Sequence, residues 1–515
     1  MKTLRVKLLI LAGVLMLTSC GKDYLDTEPT NTTATSTIFE TTENAKLAIN
    51  GINKLMTRQY LSSQGFNGEG TIKMYYGNYP GNNFFLNLPT WAPIINFRYL
   101  ENVTSIYNYY PWYYYYMLVG NANSVIHNID DATGPDSDKQ FIKAQAITYR
   151  AYSFFMLSQL YSNRWMDSNN GSTEGIVLRT DLSTGDQALA TLGETYEQIY
   201  SDLEEAIELF TLSGKSRERN YDIDINVAYA IYARAALTRE DYETAATMAA
   251  NARNGYPLMS NTEYAAGFHA PTSEWIWSSW GSSDETLYFY SYHAYIAYNS
   301  SASAVRNYPK CISKELLEKV PDSDIRKELF LDPNGLEYTL ANGMAGSDLD
   351  SVARERFPSL YSTATVYAYM QFKISAEDIP GVGHLNHFRS SEMVLTEAEA
   401  KYFLGDEDGA RQALTELNLD SGRDPNYSTS NTGDDLLEEI KFYRSFELWG
   451  EGFDWFDMKR WGDDIVRKSP ANGGNFITDL AVTIPANDPT KNKWTWMIPQ
   501  RETDFNKLIG TTLPE

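Results

Sequence analysis

Two stretches of this 515-residue chain restrict the fold more than any others, because each reads as a pair of helices with almost no chain between them. Residues 226–238 are followed at once by 241–254, and residues 392–404 are followed, across Gly405-Asp406, by 407–417. In all four segments apolar residues recur at three-to-four spacing, the period of a helix with one buried face. Alanines recur where two helices would cross closely: Ala228, Ala230, Ala233, Ala235 and Ala236 in the first pair, and Ala398, Ala400, Ala410 and Ala413 in the second. The same spacing marks residues 41–60, 113–129, 137–161 and 193–210 as helical. Between these segments lie aromatic, loop-rich stretches. The expected fold is mostly α, with helix pairs packed against an irregular, loop-rich half carrying short strands.

Stacked helix pairs with small residues at the crossings are the unit of tetratricopeptide-type repeats. Here the unit is degenerate, since no strict 34-residue period survives. An ordinary helical hairpin fits the pattern alone as an alternative.

The N-terminus sets the compartment. Lys2, Arg5 and Lys7 precede a short apolar run, residues 8–17, ending in Leu17-Thr18-Ser19-Cys20. This is the form of a secretory signal peptide, too short to span a bilayer. A cysteine at the cleavage position marks Cys20 as the lipidated first residue of a mature lipoprotein, so residues 1–19 are expected to be removed. Residues 20–38 are polar and Thr-rich, without hydrophobic period, and read as a flexible tether whose reach is on the order of 20 Å. Residues 39–515 are then a single domain with interleaved ligand-binding loops.

Charge excludes one class of partner. The formal net charge is -24, and nucleic acid would need a basic face to neutralise its phosphates. With Cys20 committed to lipid, Cys311 stands alone and no intramolecular disulfide can form. Stability must come from a large core.

Four blocks resemble one known family. They are the start Cys20-Gly21-Lys22-Asp23-Tyr24-Leu25-Asp26-Thr27-Glu28-Pro29, the helix Tyr149-Arg150-Ala151-Tyr152-Ser153-Phe154-Phe155, the segment Phe388-Arg389-Ser390-Ser391-Glu392-Met393, and the C-terminal run Tyr443-Arg444-Ser445-Phe446-Glu447-Leu448-Trp449-Gly450-Glu451-Gly452 leading to Asp457-Met458-Lys459-Arg460-Trp461-Gly462. Together with Ile498-Pro499-Gln500-Arg501-Glu502 they resemble, in order and spacing, the RagB/SusD nutrient-uptake lipoproteins. The chain departs from that pattern at Trp449-Gly450 and after Gln500. The resemblance implies about four tetratricopeptide-like helix pairs, attachment to the outer membrane facing the cell surface, and a TonB-dependent transporter of the SusC type as partner. It also implies a glycan as ligand and no cofactor. Arg150, Arg389, Glu392, Arg444, Glu447 and Arg460 sit among apolar neighbours, where charges persist only when paired, so they are expected to be ion pairs between helices.

Sugar capture places aromatic rings on loops, because a pyranose lays its apolar C–H face flat on Trp or Tyr while polar side chains take its hydroxyls. Residues 66–99 and 275–298 carry that mixture. Trp91, Trp280 and Tyr290 are the expected stacking residues, with Asn96 and Arg98 as hydroxyl partners. Trp275 and Trp277 alternate as on a short strand and are expected in the core. The run 107–116, rich in tyrosine, continues into a helix and is expected to pack. Enzyme signatures are weak: there is no G-x-S-x-G, no phosphate-cradling glycine motif and no H-E-x-x-H. His384 and His387 read as part of a surface loop, not as metal ligands, and Asp167-x-Asn169-x-Gly171 only faintly matches a calcium loop. A peptide-binding member of the same family and a surface glycoside hydrolase remain as alternatives; reducing ends released from a polysaccharide would mark the hydrolase.

Overall fold

The computed structural model describes residues 35–61, 66–96, 98–283, 291–336, 347–488 and 494–510. The signal peptide, Cys20 and most of the tether lie outside the described residues. The last four tether residues, Thr35–Ile38, form a helical turn instead of coil.

Helices of eight residues or more are α1 (Thr42–Leu55), α2 (Ile106–Asn128), α3 (Asp136–Tyr161), α4 (Leu192–Ser213), α5 (Ile225–Thr238), α6 (Tyr242–Ala252), α7 (Asp348–Arg356), α8 (Ser390–Phe403), α9 (Glu407–Thr415), α10 (Gly433–Glu447) and α11 (Asp454–Trp461). They stack in a row: α2 on α3, α3 on α4, α4 on α5, α5 on α6, α6 on α8, and α8 on α9 and α10. This is the tetratricopeptide-like scaffold. The alanines of both hairpins are buried, which lets α5 approach α6 and α8 approach α9 closely. The tight links have local causes. Between α5 and α6, Asp241 caps α6 by accepting the Thr244 amide, and Gly405, with φ +81°, turns the chain before Asp406 caps α9.

α2 begins seven residues before the expected start at residue 113, at Ile106, and runs through Pro111. A proline inside a helix leaves the carbonyl four residues earlier without a donor. Here the Tyr76 hydroxyl supplies one to the Tyr107 carbonyl at 2.5 Å, and the Tyr161 hydroxyl donates to the Asn108 carbonyl at 2.5 Å. Two tyrosines from elsewhere in the chain thus sustain a helix that local sequence would end. Within the same run Tyr110, Tyr114 and Tyr115 are fully buried.

The strands form three antiparallel pairs: β1 (Phe84–Leu86) with β3 (Lys310–Ile312), β2 (Trp275–Ser279) with β4 (Leu385–Arg389), and β5 (Ile465–Val466) with β6 (Thr483–Ile484). Trp275 and Trp277 are both completely buried on β2.

The six charged residues singled out in the family blocks are all ion-paired. Arg150 meets Asp202 at 2.7 Å, joining α3 to α4, and Arg234 meets Glu392 at 2.6 Å, joining α5 to α8. Arg444 and Arg460 converge on Asp457 at 2.8 and 2.9 Å. Arg389 binds Glu274, Glu447 and Glu451 at 2.7 to 2.8 Å. Arg326 binds Asp324 and Glu447, Arg423 binds Glu274, and Lys373 binds Glu451. Four carboxylates thus face four cations inside the protein, and the cluster is neutral. Burial alone would raise the pKa of Glu447, but Arg423, Arg389, Arg326 and Lys373 hold it well below the ordinary carboxylate range.

Candidate functional site

The π-helical turn Ile72–Asn78 begins the site. It lies against the loop that precedes α11: Asn78 donates to the Gly450 carbonyl at 2.7 Å and accepts the Gly452 amide at 2.8 Å, and Lys73 donates to the Glu451 carbonyl at 2.9 Å. Close approach at this seam requires Gly77, where a Cβ would lie 2.1 Å from the Gly452 carbonyl oxygen. So held, the turn and the residue after it direct Tyr75 and Tyr79 towards Trp91. Trp91 ends a short 3-10 turn opened by Pro89. Its ring meets Tyr75 at 4.9 Å, Tyr79 at 5.6 Å and Tyr295 at 6.4 Å between centroids, all edge-on. Three buried tyrosines therefore form a fixed bed beneath a half-buried tryptophan.

Above this bed runs an open groove of about 610 Å³. Its floor is the β1–β3 ribbon, where Leu86 sits opposite Lys310. Trp91 and Leu88 line it on one side; Ser301, Ser303, Arg306, Tyr308 and Tyr361 complete it. By contrast, the enclosed cavity between Glu69, Lys73, Arg234 and Arg444 offers about 30 Å³, room for water and not for a sugar. The groove thus combines exposed aromatic surface with hydroxyl and cationic groups, the two ingredients a saccharide needs.

Lys310 is almost wholly buried under the floor, where its ammonium donates to the Ala304 and Tyr308 carbonyls at 2.7 and 2.8 Å. Burial pushes its pKa down to about 7. A lysine with a depressed folded-state pKa holds fewer protons folded than unfolded between about pH 7 and the ordinary lysine value near 10.4. Its burial therefore destabilises fully below pH 7, and the loss is recovered as pH rises. The unfolding free energies of wild type and Lys310→Met should accordingly converge, or cross in favour of wild type, between pH 7 and 10, by on the order of a few kcal/mol. A difference independent of pH would show that Lys310 remains charged.

The expected site residues fall in different places. Trp91 lines the groove. Asn96 is buried, its amide donating to the Asp479 carbonyl at 3.2 Å and its oxygen accepting from Arg467 at 3.3 Å, so its polar atoms are committed to the interior. Arg98 is exposed and outside the groove lining. Trp280 is 40% exposed, lies outside the groove lining and has the Tyr221 ring at 6.3 Å. Tyr290 lies outside the described residues. His387 is not in a surface loop: it is buried in β4, 2.7 Å from the Ser279 hydroxyl. Asp167 is engaged by Arg164 at 2.6 Å. Among the described residues no cluster of His, Cys, Asp or Glu could hold a metal ion. The two aromatic stretches singled out in the sequence do meet at the groove, through Tyr79, Leu86, Leu88 and Trp91 from the first and Tyr295 from the second. Sequence reasoning missed Ser301 to Lys310 and Tyr361. No motif marks them; the pairing of β3 with β1 brings in Lys310, and the residues before β3 are held near the 361–365 segment by the Thr365 amide donating to the Arg306 carbonyl.

The described residues thus place an aromatic groove among the loops of a helix-repeat scaffold. A SusD-like family, described as starch-binding and associating with the outer membrane, matches residues 23–237. The chain is 22% identical to the SusD-like protein P38 of Formosa agariphila, over 92% of this chain and 94% of that one. Its fold is similar to a SusD-like carbohydrate-binding protein from Bacteroides vulgatus, with a TM-score of 0.74 and 24% identity across 93% of this chain and 99% of the other. A SusD superfamily protein from Bacteroides thetaiotaomicron gives a TM-score of 0.72 and 22% identity, covering 91% and 99%. The chain is thus similar to SusD-like proteins in its N-terminal sequence and in its fold. No described helix is long and apolar enough to cross a membrane.

Proposed function

We propose that this protein is a surface-exposed lipoprotein, anchored to the outer membrane through Cys20, that captures an oligosaccharide or polysaccharide and delivers it to a TonB-dependent transporter of the SusC type. The observation that carries the glycan assignment is the groove in which Trp91 stands on Tyr75, Tyr79 and Tyr295, with Tyr308 and Tyr361 nearby. Further support comes from the family's description and from the carbohydrate-binding protein of the same fold. The lipid anchor rests on the Leu17-Thr18-Ser19-Cys20 signal and the transporter on the family resemblance.

Affinity has a physical ceiling. If each of three rings removes about 50 Å² of apolar surface from water, burial contributes roughly 4 kcal/mol in all before ordering costs. Single sugars should bind at about millimolar strength, tightening with chain length. The test is migration of the lipid-free protein in native gels cast with different polysaccharides, with reducing ends assayed alongside. Retardation by a glycan without cleavage is expected. Retardation by none, or release of reducing ends, would overturn the assignment.

A further inference from the structure

The described lining of the groove differs in charge from the chain as a whole. The chain as a whole carries a formal charge of -24. Yet the described residues lining the groove include Arg306 and Lys310 and not one carboxylate. A neutral sugar needs no such arrangement, because its hydroxyls are served equally by acids, amides and hydroxyls. For a negatively charged ligand the arrangement matters: the acidic surface would repel it, and only a locally positive channel would admit it.

Arg306 is placed to make the contact. It ends the short helix Ser303–Arg306, and its backbone is pinned where its carbonyl accepts the Thr365 amide at 2.8 Å. Its side chain is half-buried and forms no ion pair with any described residue, although most other arginines of the chain are paired. Ser301 and Ser303 add hydroxyl donors beside it. A guanidinium presents a planar fork that fits the two oxygens of a carboxylate or the face of a sulfate. Lys310 adds little, because its ammonium is taken up by two backbone carbonyls beneath the floor and does not reach the open groove, which leaves Arg306 as the cation of the described lining that faces a ligand.

We infer that the groove selects acidic glycans, chains bearing uronate carboxylates or sulfate esters, with Arg306 binding the anionic group while Trp91 stacks on a neighbouring ring. This rests on the proposed glycan capture at the same site. Carboxylate and sulfate share the chemistry, and the experiment separates them.

The test is titration calorimetry of the lipid-free protein with three hexasaccharides of equal length: hexagalacturonate, a sulfated galactan hexasaccharide and neutral maltohexaose. At least one anionic hexamer should bind about tenfold more tightly than the neutral one, and which one does so identifies the group. Arg306→Gln should lose roughly tenfold on that ligand and little on the neutral one, while Arg306→Lys keeps part of the preference. Raising ionic strength from about 0.01 M to about 0.15 M, which shortens the screening length from about 30 Å to about 8 Å, should weaken only the anionic ligand. Equal binding of neutral and anionic hexamers, unaffected by Arg306→Gln but lost in Trp91→Ala, would overturn the charge selection and leave glycan capture standing. Binding of none of the three would remove the selection for these acidic glycans, and if no polysaccharide retarded the protein in native gels either, glycan capture would fall with it.

Discussion

Replacing Arg389 by methionine should destabilise the protein by about 3–5 kcal/mol, a large fraction of the 5–15 kcal/mol that holds a typical domain folded. Arg389 is buried and touches three carboxylates, Glu274, Glu447 and Glu451. Removing it leaves those charges with Arg423, Arg326 and Lys373 alone, so four buried carboxylates face three cations. Desolvation that the pairs had offset is then uncompensated. The loss should depend on pH in a definite sense. Burial tends to raise the pKa values of Glu447 and Glu451, yet both are lowered, by the surrounding cations. Groups with depressed folded pKa values stabilise above the unfolded value and lose that contribution as pH falls through the folded one. The gap between wild type and Arg389→Met should therefore be widest near pH 7 and narrow below about pH 4.3, the unfolded glutamate value. Urea denaturation followed by circular dichroism measures it. As a comparison, Arg411→Ala, which removes surface pairs to Glu407 and Asp408, should change stability by less than about 1 kcal/mol. Equal effects from the two variants would contradict the role given to the buried cluster.

Gly77→Ala should be the most damaging single-methyl change near the site. The added Cβ would lie 2.1 Å from the Gly452 oxygen and 2.6 Å from its carbon, and both are backbone atoms that cannot rotate away. Separating the two segments also breaks the bonds from Asn78 to Gly450 and from Lys73 to Glu451. Overpacking costs about 1–3 kcal/mol and lost buried hydrogen bonds a similar amount, so a total near 4 kcal/mol is expected. Gly51→Ala is the internal contrast. Gly51 is exposed on α1 and a Cβ there meets nothing within 4 Å, so the same substitution should stabilise by up to about 1 kcal/mol through helix propensity. Thermal unfolding of both variants distinguishes steric from generic effects, and two shifts of the same sign would refute the steric account.

Helices were legible in the sequence because their information is local. The alanine hairpins at α5–α6 and α8–α9 lie within a few residues of where the apolar period puts them. α2 was harder, since Pro111 signals an end that the hydroxyls of Tyr76 and Tyr161 prevent, and those partners are distant in the chain. The ion pairs could be anticipated as a class, because charges in apolar surroundings need partners, but not as particular pairs. The groove was half legible. Aromatic, glycine-rich composition points to residues 66–99, and Trp91 is found there among its tyrosines. The same composition pointed to Trp280, which lies outside the groove lining, near Tyr221. Asn96 is polar for the sake of Arg467, a partner nearly four hundred residues away. Arg306 and Tyr361 enter the groove where the Thr365 amide donates to the Arg306 carbonyl, a contact between segments that leaves no periodic trace.

The central claim is that the groove under Trp91 holds the ligand, and affinity measured by calorimetry on the retarding polysaccharide tests it most directly, with wild type, Trp91→Ala and Trp280→Ala compared. Trp91→Ala should weaken binding at least tenfold while keeping the wild-type unfolding transition to within a few degrees, and Trp280→Ala should bind as wild type does. Unchanged affinity in Trp91→Ala, or loss confined to Trp280→Ala, would place the ligand on another surface and contradict the account.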